Sequence, residues 1–466
     1  MTAKRRTHIE PYDEDQHHTF IDDKVEAMQS LILVEHRDKK GELVPLVLNH
    51  CQRALHDLVE RARAFRLVKN ILLSEDKVLL AKFFGVNLEH KFRTQVNAVG
   101  KKCIDTRMRA FKAKHPDIYV SDGPVRIVIT KCRRAGVSSY VGARFYLEAN
   151  FSPNMSVMVM AHKGSNARRI FKYTQDFYRY WSPRWEEYRQ PAQYKSKTDG
   201  YTWEHNSRYI VATAGGENAA RGDQFDLHHF SETAFYSDYA EVNATLTAAP
   251  PHAMVFEEST GNGAQGGFYD RWQKALSIDD AIRAHDRKDV SALNEWNGYF
   301  RFFFSWLDDP AYKEKVFDWE ESHLAESIDD DERALLKAFP LTTLEQLKWR
   351  RTKIQNDCQA NEHGLPPEQY FQQEFPSTAE ESFQALGSKW FSSQPLRRMT
   401  LRAKAKKPAA CFRLSPELDP KTVPRGTENL TVWSKPATNK TYVIGADIAQ
   451  GLRKGDWSVA IVFDRH

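Results

Sequence analysis

The stretch KCRRAGVSS, Lys131 to Ser139, decides the fold. It follows an apolar run, VRIVIT (Val125 to Thr130), and leads into a segment that reads as a helix. Strand, turn and helix with Gly136 and Ser138 in place is the layout of a phosphate-cradling loop. Against the pattern G-x-x-x-x-G-K-[ST], Lys131 stands at the first glycine, Gly136 at the second, Val137 at the lysine and Ser138 at the hydroxyl. The usual lysine is replaced, but Lys131, Arg133 and Arg134 lie just upstream. A loop that opens a helix offers backbone N–H groups and a positive dipole end, and nearby cations balance polyphosphate charge. The residues predicted to line such a site are Lys131, Arg133, Arg134, Ala135, Gly136, Val137, Ser138 and Ser139.

Downstream, short apolar runs alternate with helical stretches. They are SVMVMAH (Ser156 to His162), SRYIVATAGG (Ser207 to Gly216), FDLHHFSE (Phe225 to Glu232) and HAMVFEEST (His252 to Thr260). That alternation predicts an α/β fold with a mostly parallel sheet. Glu232 then falls at the C-terminal tip of a strand, where parallel sheets bind ligands. A carboxylate there orients or deprotonates an attacking water in nucleotide hydrolases. The preceding position, normally an Mg²⁺-holding aspartate, is Ser231. Glu258, Ser259, Thr260 and Asn262 would sit beside the same sheet edge, able to sense loss of a phosphate and pass it to a moving element. Arg221, in a glycine-rich loop, reads either as an arginine finger toward a neighbouring subunit or as a surface arginine.

The bulk numbers set the frame. At 466 residues the chain is long enough for two or three domains. It is 41% hydrophobic and 28% charged, with a net charge of +5 and a pI near 8.7. No run of about 18 apolar residues occurs, so no membrane span is expected. The N-terminus lacks an apolar signal core. Five scattered cysteines without a C-x-x-C pair point to a reducing compartment and to neither a disulfide framework nor a zinc site. Basic clusters at Arg61 to Arg66, at Lys101 and Lys102, at Arg107 to Lys114 and at Arg397 to Lys407 read either as tracks for a phosphate backbone or as solvated helix faces.

Residues 1–42 read as a loosely packed polar arm, 43–280 as a phosphate-loop domain with a basic helical insert at about 57–120, and 281–430 as a helical linker or subdomain. Within the last of these, the proline-rich Pro408 to Val432 reads as linker. TYVIGADIAQGLRKGDWSVAIVFD (Thr441 to Asp464) reads as a β-hairpin that opens a further domain over 431–466. Asp447 lies on its first strand, and a strand acid facing a cleft is how two-metal nucleases hold Mg²⁺ or Mn²⁺. Such a site needs further carboxylates, normally from later strands.

In this order the motifs resemble the large subunit of a tailed-bacteriophage terminase, of the prophage type. LNHCQR (Leu48 to Arg53) is similar to that family's adenine-binding Q motif and nominates Gln52. KCRRAGVSS is similar to its variant phosphate loop and carries over Arg133 as a charge-neutralising residue. HFSETAFY matches the Walker B element with Glu232 as catalytic carboxylate. ESTGNG matches the coupling motif, with Gly261 where an alanine is usual. QQEFPSTAEESF (Gln372 to Phe383) resembles the block that joins the family's two domains. GADIAQGLRKGDWS resembles the first motif of the RNase H-like nuclease, nominating Asp447 as a metal ligand and Asp456 as a second.

The resemblance implies a RecA/ASCE-like P-loop ATPase sheet with helical additions, followed by the first strands of an RNase H-like domain. It implies ATP with Mg²⁺ at Ser138, a motor that drives double-stranded DNA into a procapsid, and an endonuclease inactive in this chain. It also implies a terminase small subunit and a procapsid portal as partners. The assembly would be a homo-oligomeric ring of about five, in the host bacterial cytoplasm. Two other readings share the motifs: a helicase or remodelling ATPase, which needs a second RecA-like sheet, and a DNA-binding scaffold with a degenerate loop.

Overall fold

A computed structural model describes residues 13–35, 39, 41–101, 103–196, 200–215, 223–359, 365–383, 408–414, 420–422, 430–433, 436–438, 440–447 and 459–464. The chain divides into two compact units, Met1–Gly387 and Ser388–His466.

The first unit opens with helices α1 (Glu14–Asp22) and α2 (Lys24–Leu31), then a ribbon of β1 (Leu33–Glu35) and β2 (Leu43–Pro45). From Asp13 to Glu35 the stretch expected as a loose arm is instead part of the fold, with Phe20, Ala27, Met28 and Leu31 fully buried. Asp13 and Asp23 cap the two helices, and this short-range chemistry fixes their starts. Helix α3 (His50–Leu73) follows, then α4 (Lys77–Phe84), α5 (Phe92–Gly100) and α6 (Ile104–Lys114), which form the helical insert.

The central sheet contains β3 (Val125–Lys131), β4 (Ser156–Ala161), β5 (Ala192–Ser196), β6 (Gly200–Trp203), β7 (Arg208–Thr213), β8 (Leu227–Ser231), β9 (Met254–Ser259) and β10 (Phe300–Phe304). Their order is β10-β3-β9-β8-β4-β7-β6-β5. The six strands from β10 to β7 are mutually parallel, and β6 and β5 extend the edge antiparallel. Strand β9 therefore separates the loop strand β3 from the Glu232 strand β8. This is the RecA/ASCE-like arrangement. Strand β10 comes from the stretch read as helical linker, so the sheet reaches beyond the expected boundary at 280.

Both faces of the sheet are covered, which is why its strands are nearly continuous apolar runs. Ile127, Ile129, Val157 and Val159 point to one core, with α3, α7 (Val137–Phe151) and α8 (Gly164–Arg179). Val128, Met158, Met160 and Val255 point to the other, with α9 (Ala240–Thr247) and α10 (Gly266–Lys274). Among the described residues the unit also holds α11 (Ile278–Arg287), α12 (Val290–Glu295), α13 (Asp318–Glu326), α14 (Asp330–Ala338), α15 (Leu344–Asp357), α16 (Pro367–Glu374) and α17 (Ala379–Ser382).

The basic cluster at Arg61 to Arg66 proves to be neither a phosphate track nor a solvated face along its length. Arg63 and Arg66 are buried. Arg66 donates to the Gly298 carbonyl at 2.5 Å and lies over the Trp296 ring, so it ties α3 to the approach to β10. Arg61 stays at the surface and pairs with Asp279.

In the second unit, β11 (Ala410–Leu414) pairs antiparallel with β12 (Pro420–Thr422) and β13 (Leu430–Val432). The linker reading of this stretch is corrected here. Of its prolines, Pro420 opens β12, the position where a strand tolerates a missing N–H. The hairpin expected next is present as β14 (Tyr442–Asp447) paired with β15 (Val459–Asp464).

The buried His228 and the half-buried His285 make the fold acid-sensitive. Burial pushes His228 down to about 4, and burial with the charges of Lys69 and Arg66 pushes His285 down to about 4. Below the ordinary value of 6.5, the unfolded chain takes up protons that the folded chain refuses. Stability is therefore fully present above about pH 6.5 and is lost as pH falls toward 4. Urea midpoints should drop between pH 7 and pH 5; a flat profile over that interval would contradict it.

Candidate functional site

Strands β3, β8 and β9 run parallel, so Lys131, Ser231 and Ser259 end them at one edge of the sheet. This is where α/β sheets place their ligand crevice. The loop from Cys132 to Gly136 leaves β3 there and enters α7. No side chain caps α7, so the first N–H groups of a 15-residue helix are left for a ligand. The stretch from Lys131 to Ser139 thus runs from a strand end through a loop into an uncapped helix start.

Gly136 is required twice over. Its φ of +81° lies in the left-handed region, and a Cβ would come within 2.8 Å of Gln52 Nε2. Gln52 sits directly beneath the loop. Its Nε2 donates to the Gly136 carbonyl at 2.9 Å and to Ser139 Oγ at 3.1 Å, while its Oε1 accepts from the Asn49 N–H at 2.9 Å. Asn49 Nδ2 donates to the Ala135 carbonyl at 3.2 Å. The capping box of α3 and the loop are therefore one hydrogen-bonded unit. Asn49 was not singled out from the sequence, although Asn-x-x-Gln ahead of a helix is the capping-box signal.

The charges converge behind the loop. Lys131 Nζ lies 3.0 Å from Glu258 Oε2 and 3.5 Å from Glu232 Oε1. Burial opposes charge on Lys131, but the two carboxylates outweigh it and hold the ammonium well above the ordinary lysine range. Val137, at the usual lysine position, is buried in the core. The cation of this site therefore comes from the end of β3.

Glu232 has φ 60° and ψ 43°, a left-handed conformation that a non-glycine residue adopts only when the surroundings impose it. Its N–H is fixed to the Glu258 carbonyl at 2.7 Å. Its carboxylate is held loosely: Ser259 Oγ and the Thr260 N–H each lie 3.4 Å from Oε2. A carboxylate with long contacts at a ligand crevice is free to engage a water.

The predicted coupling residues gather around it. Ser259 Oγ also accepts from the Ala234 N–H, and Asn262 Nδ2 donates to the Ala234 carbonyl at 2.8 Å. Glu258 is fully buried and accepts from Ser138 Oγ at 2.7 Å and Ser231 Oγ at 2.8 Å. His229 Nε2 lies 3.3 Å from the same oxygen. Although burial works the other way, Lys131 and His229 hold the Glu258 carboxyl well below the usual range.

Arg133 is paired outside this cluster, although Glu232 lies within electrostatic reach of it. Its Nη1 pairs with Glu374 Oε2 at 2.7 Å, and its N–H donates to the Glu374 carbonyl at 2.7 Å. Arg134 is exposed with φ 64°. Arg221 and Asp456 lie outside the described residues. Asp447 ends β14 opposite Val459. Among the described residues no group of three or more His, Cys, Asp or Glu side chains gathers to hold a metal. Around Ser138 the donors do fit Mg²⁺: a hydroxyl and a carboxylate are hard oxygen ligands beside a phosphate-binding loop.

The joining block Gln372 to Phe383 packs onto this site, a contact the sequence did not signal. Besides the Arg133–Glu374 pair, Gly261 touches α17 so closely that a Cβ would lie 1.5 Å from the Ser382 carbonyl oxygen. This explains glycine where alanine is usual. Gly261→Ala should cost about 2–3 kcal/mol or lift α17 off the sheet. Thermal melts and proteolysis of the Pro376–Phe383 segment would show it; a variant as stable and as resistant as the parent would contradict the packing.

No helix among the described residues is long and apolar enough to cross a membrane. No protein-family model matches the chain, and no curated protein does. Among solved structures, the chain is similar to the ATPase domain of the Thermus phage P74-26 large terminase, at 13% identity over 65% of this chain and 97% of that one, TM-score 0.33. It is also similar to the HK97 bacteriophage large terminase, at 16% identity over 48% of this chain and 46% of that one, TM-score 0.31. A third is the large terminase of a thermophilic bacteriophage in complex with ADP, at 10% identity over 54% of this chain and 48% of that one, TM-score 0.29.

Proposed function

We propose that the chain is an ATP-hydrolysing motor subunit of the terminase large-subunit type, which moves double-stranded DNA. One observation carries the reading. An uncapped helix-opening loop, a buried lysine, a hydroxyl and a strand-tip glutamate converge at one edge of a parallel sheet whose order is RecA/ASCE-like.

In this reading the N–H groups from Val137 to Ser139 hold the phosphates. Lys131 supplies the cation that Val137 does not. Mg²⁺, held at the Ser138 hydroxyl, would neutralise charge on the transferring phosphoryl group. Glu232 orients a water and accepts its proton. Ser259 and Thr260, which touch the Glu232 carboxylate, register the change after hydrolysis. The contacts Gly261–Ser382 and Arg133–Glu374 carry it to the segment from Pro367 to Phe383. Gln52 braces the loop from below and would report adenine to it. Arg133 is assigned to charge neutralisation in cis, and Arg221 to the same role in a neighbour.

The wider assignments belong to the same proposal: a ring of subunits, a small subunit, a procapsid portal, the host cytoplasm, and an RNase H-like endonuclease beginning at β14. The helicase reading lacks support, because the described residues contain no second large parallel sheet. A triplex-displacement assay separates the two. A translocase should strip a third strand from linear duplex DNA with ATP and leave the duplex paired. Separation of the duplex strands would favour the helicase reading.

A further inference from the structure

In nucleotide hydrolases of this plan, the residue before the catalytic carboxylate is an aspartate that helps the loop hydroxyl hold Mg²⁺. Here that residue is Ser231, which brings no charge. The site nonetheless contains a carboxylate in hydrogen-bond contact with the loop hydroxyl, and it comes from the adjacent strand. Glu258 on β9 is the register partner of Ser231 on β8 and of Ile129 on β3. Its side chain accepts from Ser138 Oγ at 2.7 Å, the hydroxyl that would ligate the metal. Ser231 Oγ donates to the same oxygen at 2.8 Å, so the serine orients the carboxylate that it does not itself supply.

We propose that Glu258 replaces the missing aspartate. The Mg²⁺ that accompanies the nucleotide is held by Ser138 and the Glu258 carboxylate, the acid having moved one strand across the sheet. The inference rests on the nucleotide reading of the loop.

Three features support it. Neighbouring parallel strands lie about 4.8 Å apart, a distance that the change of strand covers at an unchanged level in the sheet. Alternation along β9 sends Glu257 to the opposite face, where it meets Tyr239 and Arg271, so only Glu258 faces the loop. Finally, Lys131 is the one lysine or arginine within ion-pairing distance of Glu232 and Glu258 among the described residues, with His229 Nε2 also 3.3 Å from Glu258. With a neutral imidazole there, two carboxylates against one ammonium leave one negative charge over. Mg²⁺ sites on nucleotides commonly use one or two protein oxygens and complete their shell with phosphate and water.

The test is how much Mg²⁺ strengthens binding of the fluorescent nucleotide mant-ADP, read as the ratio of Kd in EDTA to Kd in Mg²⁺. Glu258→Gln should lower that ratio about tenfold or more. The double variant Ser231→Asp with Glu258→Gln restores the charge count and places the acid on β8, and it should regain most of the ratio. It also carries the test if the single variant does not fold. An unchanged ratio in Glu258→Gln would overturn the assignment, as would a folded double variant that binds mant-ADP without any gain from Mg²⁺. Failure of the parent chain to bind mant-ADP in EDTA or in Mg²⁺ would instead overturn the nucleotide reading beneath it.

Discussion

Glu232→Gln is expected to bind ATP about as tightly as the parent chain and to lose about 10²- to 10⁴-fold in turnover, the range that a positioned general base contributes. The amide has the size and shape of the carboxylate, so the left-handed turn at the end of β8 should persist. Lys131 keeps Glu258 as its closer partner at 3.0 Å, so the buried ammonium is not left alone. What disappears is the group able to accept a proton from water at the strand tip. Phosphate release under single-turnover conditions, beside mant-ADP affinity, separates the two effects. Turnover within about tenfold of the parent would remove Glu232 from the chemistry.

Arg63→Ala should produce the largest loss of stability. The guanidinium is buried and serves three carboxylates: Asp122 through Nε at 2.6 Å, Asp105 through Nη2 at 2.5 Å and Glu60 through Nη1 at 3.0 Å. These lie on the turn before β3, on α6 and on α3, so one side chain fastens the helical insert to the entry of the loop strand. Truncation leaves Asp105 and Asp122 without that partner, whereas Glu60 keeps Arg144 at 2.9 Å. Breaking a buried pair from one side costs about 3–5 kcal/mol. Arg63→Lys should fall between, since it keeps the charge but not the fork. Denaturant unfolding measures the series, and a loss below about 1 kcal/mol for the alanine variant would place the network among weak surface pairs.

The parts of the fold legible in the sequence were those governed by local pattern. The runs VRIVIT, SVMVMA, RYIVAT, LHHFS and MVFEES form buried strands, because a sheet covered on both faces needs continuous apolar segments. The loop was legible from Gly136 and Ser138, and Glu232 from its place at a strand end. Strand β10 was not. FRFFF sits among charged helices, and only its pairing with β3 makes it a strand. Helices α1 and α2 escaped notice because their apolar residues are few, although Phe20 and Met28 are fully buried.

At the site, the residue types were visible and their contacts were not. That Glu258 meets Ser138 depends on β9 lying between β3 and β8, a fact of sheet order rather than of spacing along the chain. The reason for Gly261 lies in Ser382, far away in sequence. Arg133 was expected to face phosphate, yet it is paired with Glu374.

The most direct test of the account is Mg²⁺-dependent ATP hydrolysis by the unmodified chain, alone and with linear double-stranded DNA. The account predicts turnover that needs Mg²⁺, stops in EDTA and rises when duplex DNA is added. A chain that binds no ATP under any of these conditions would contradict it.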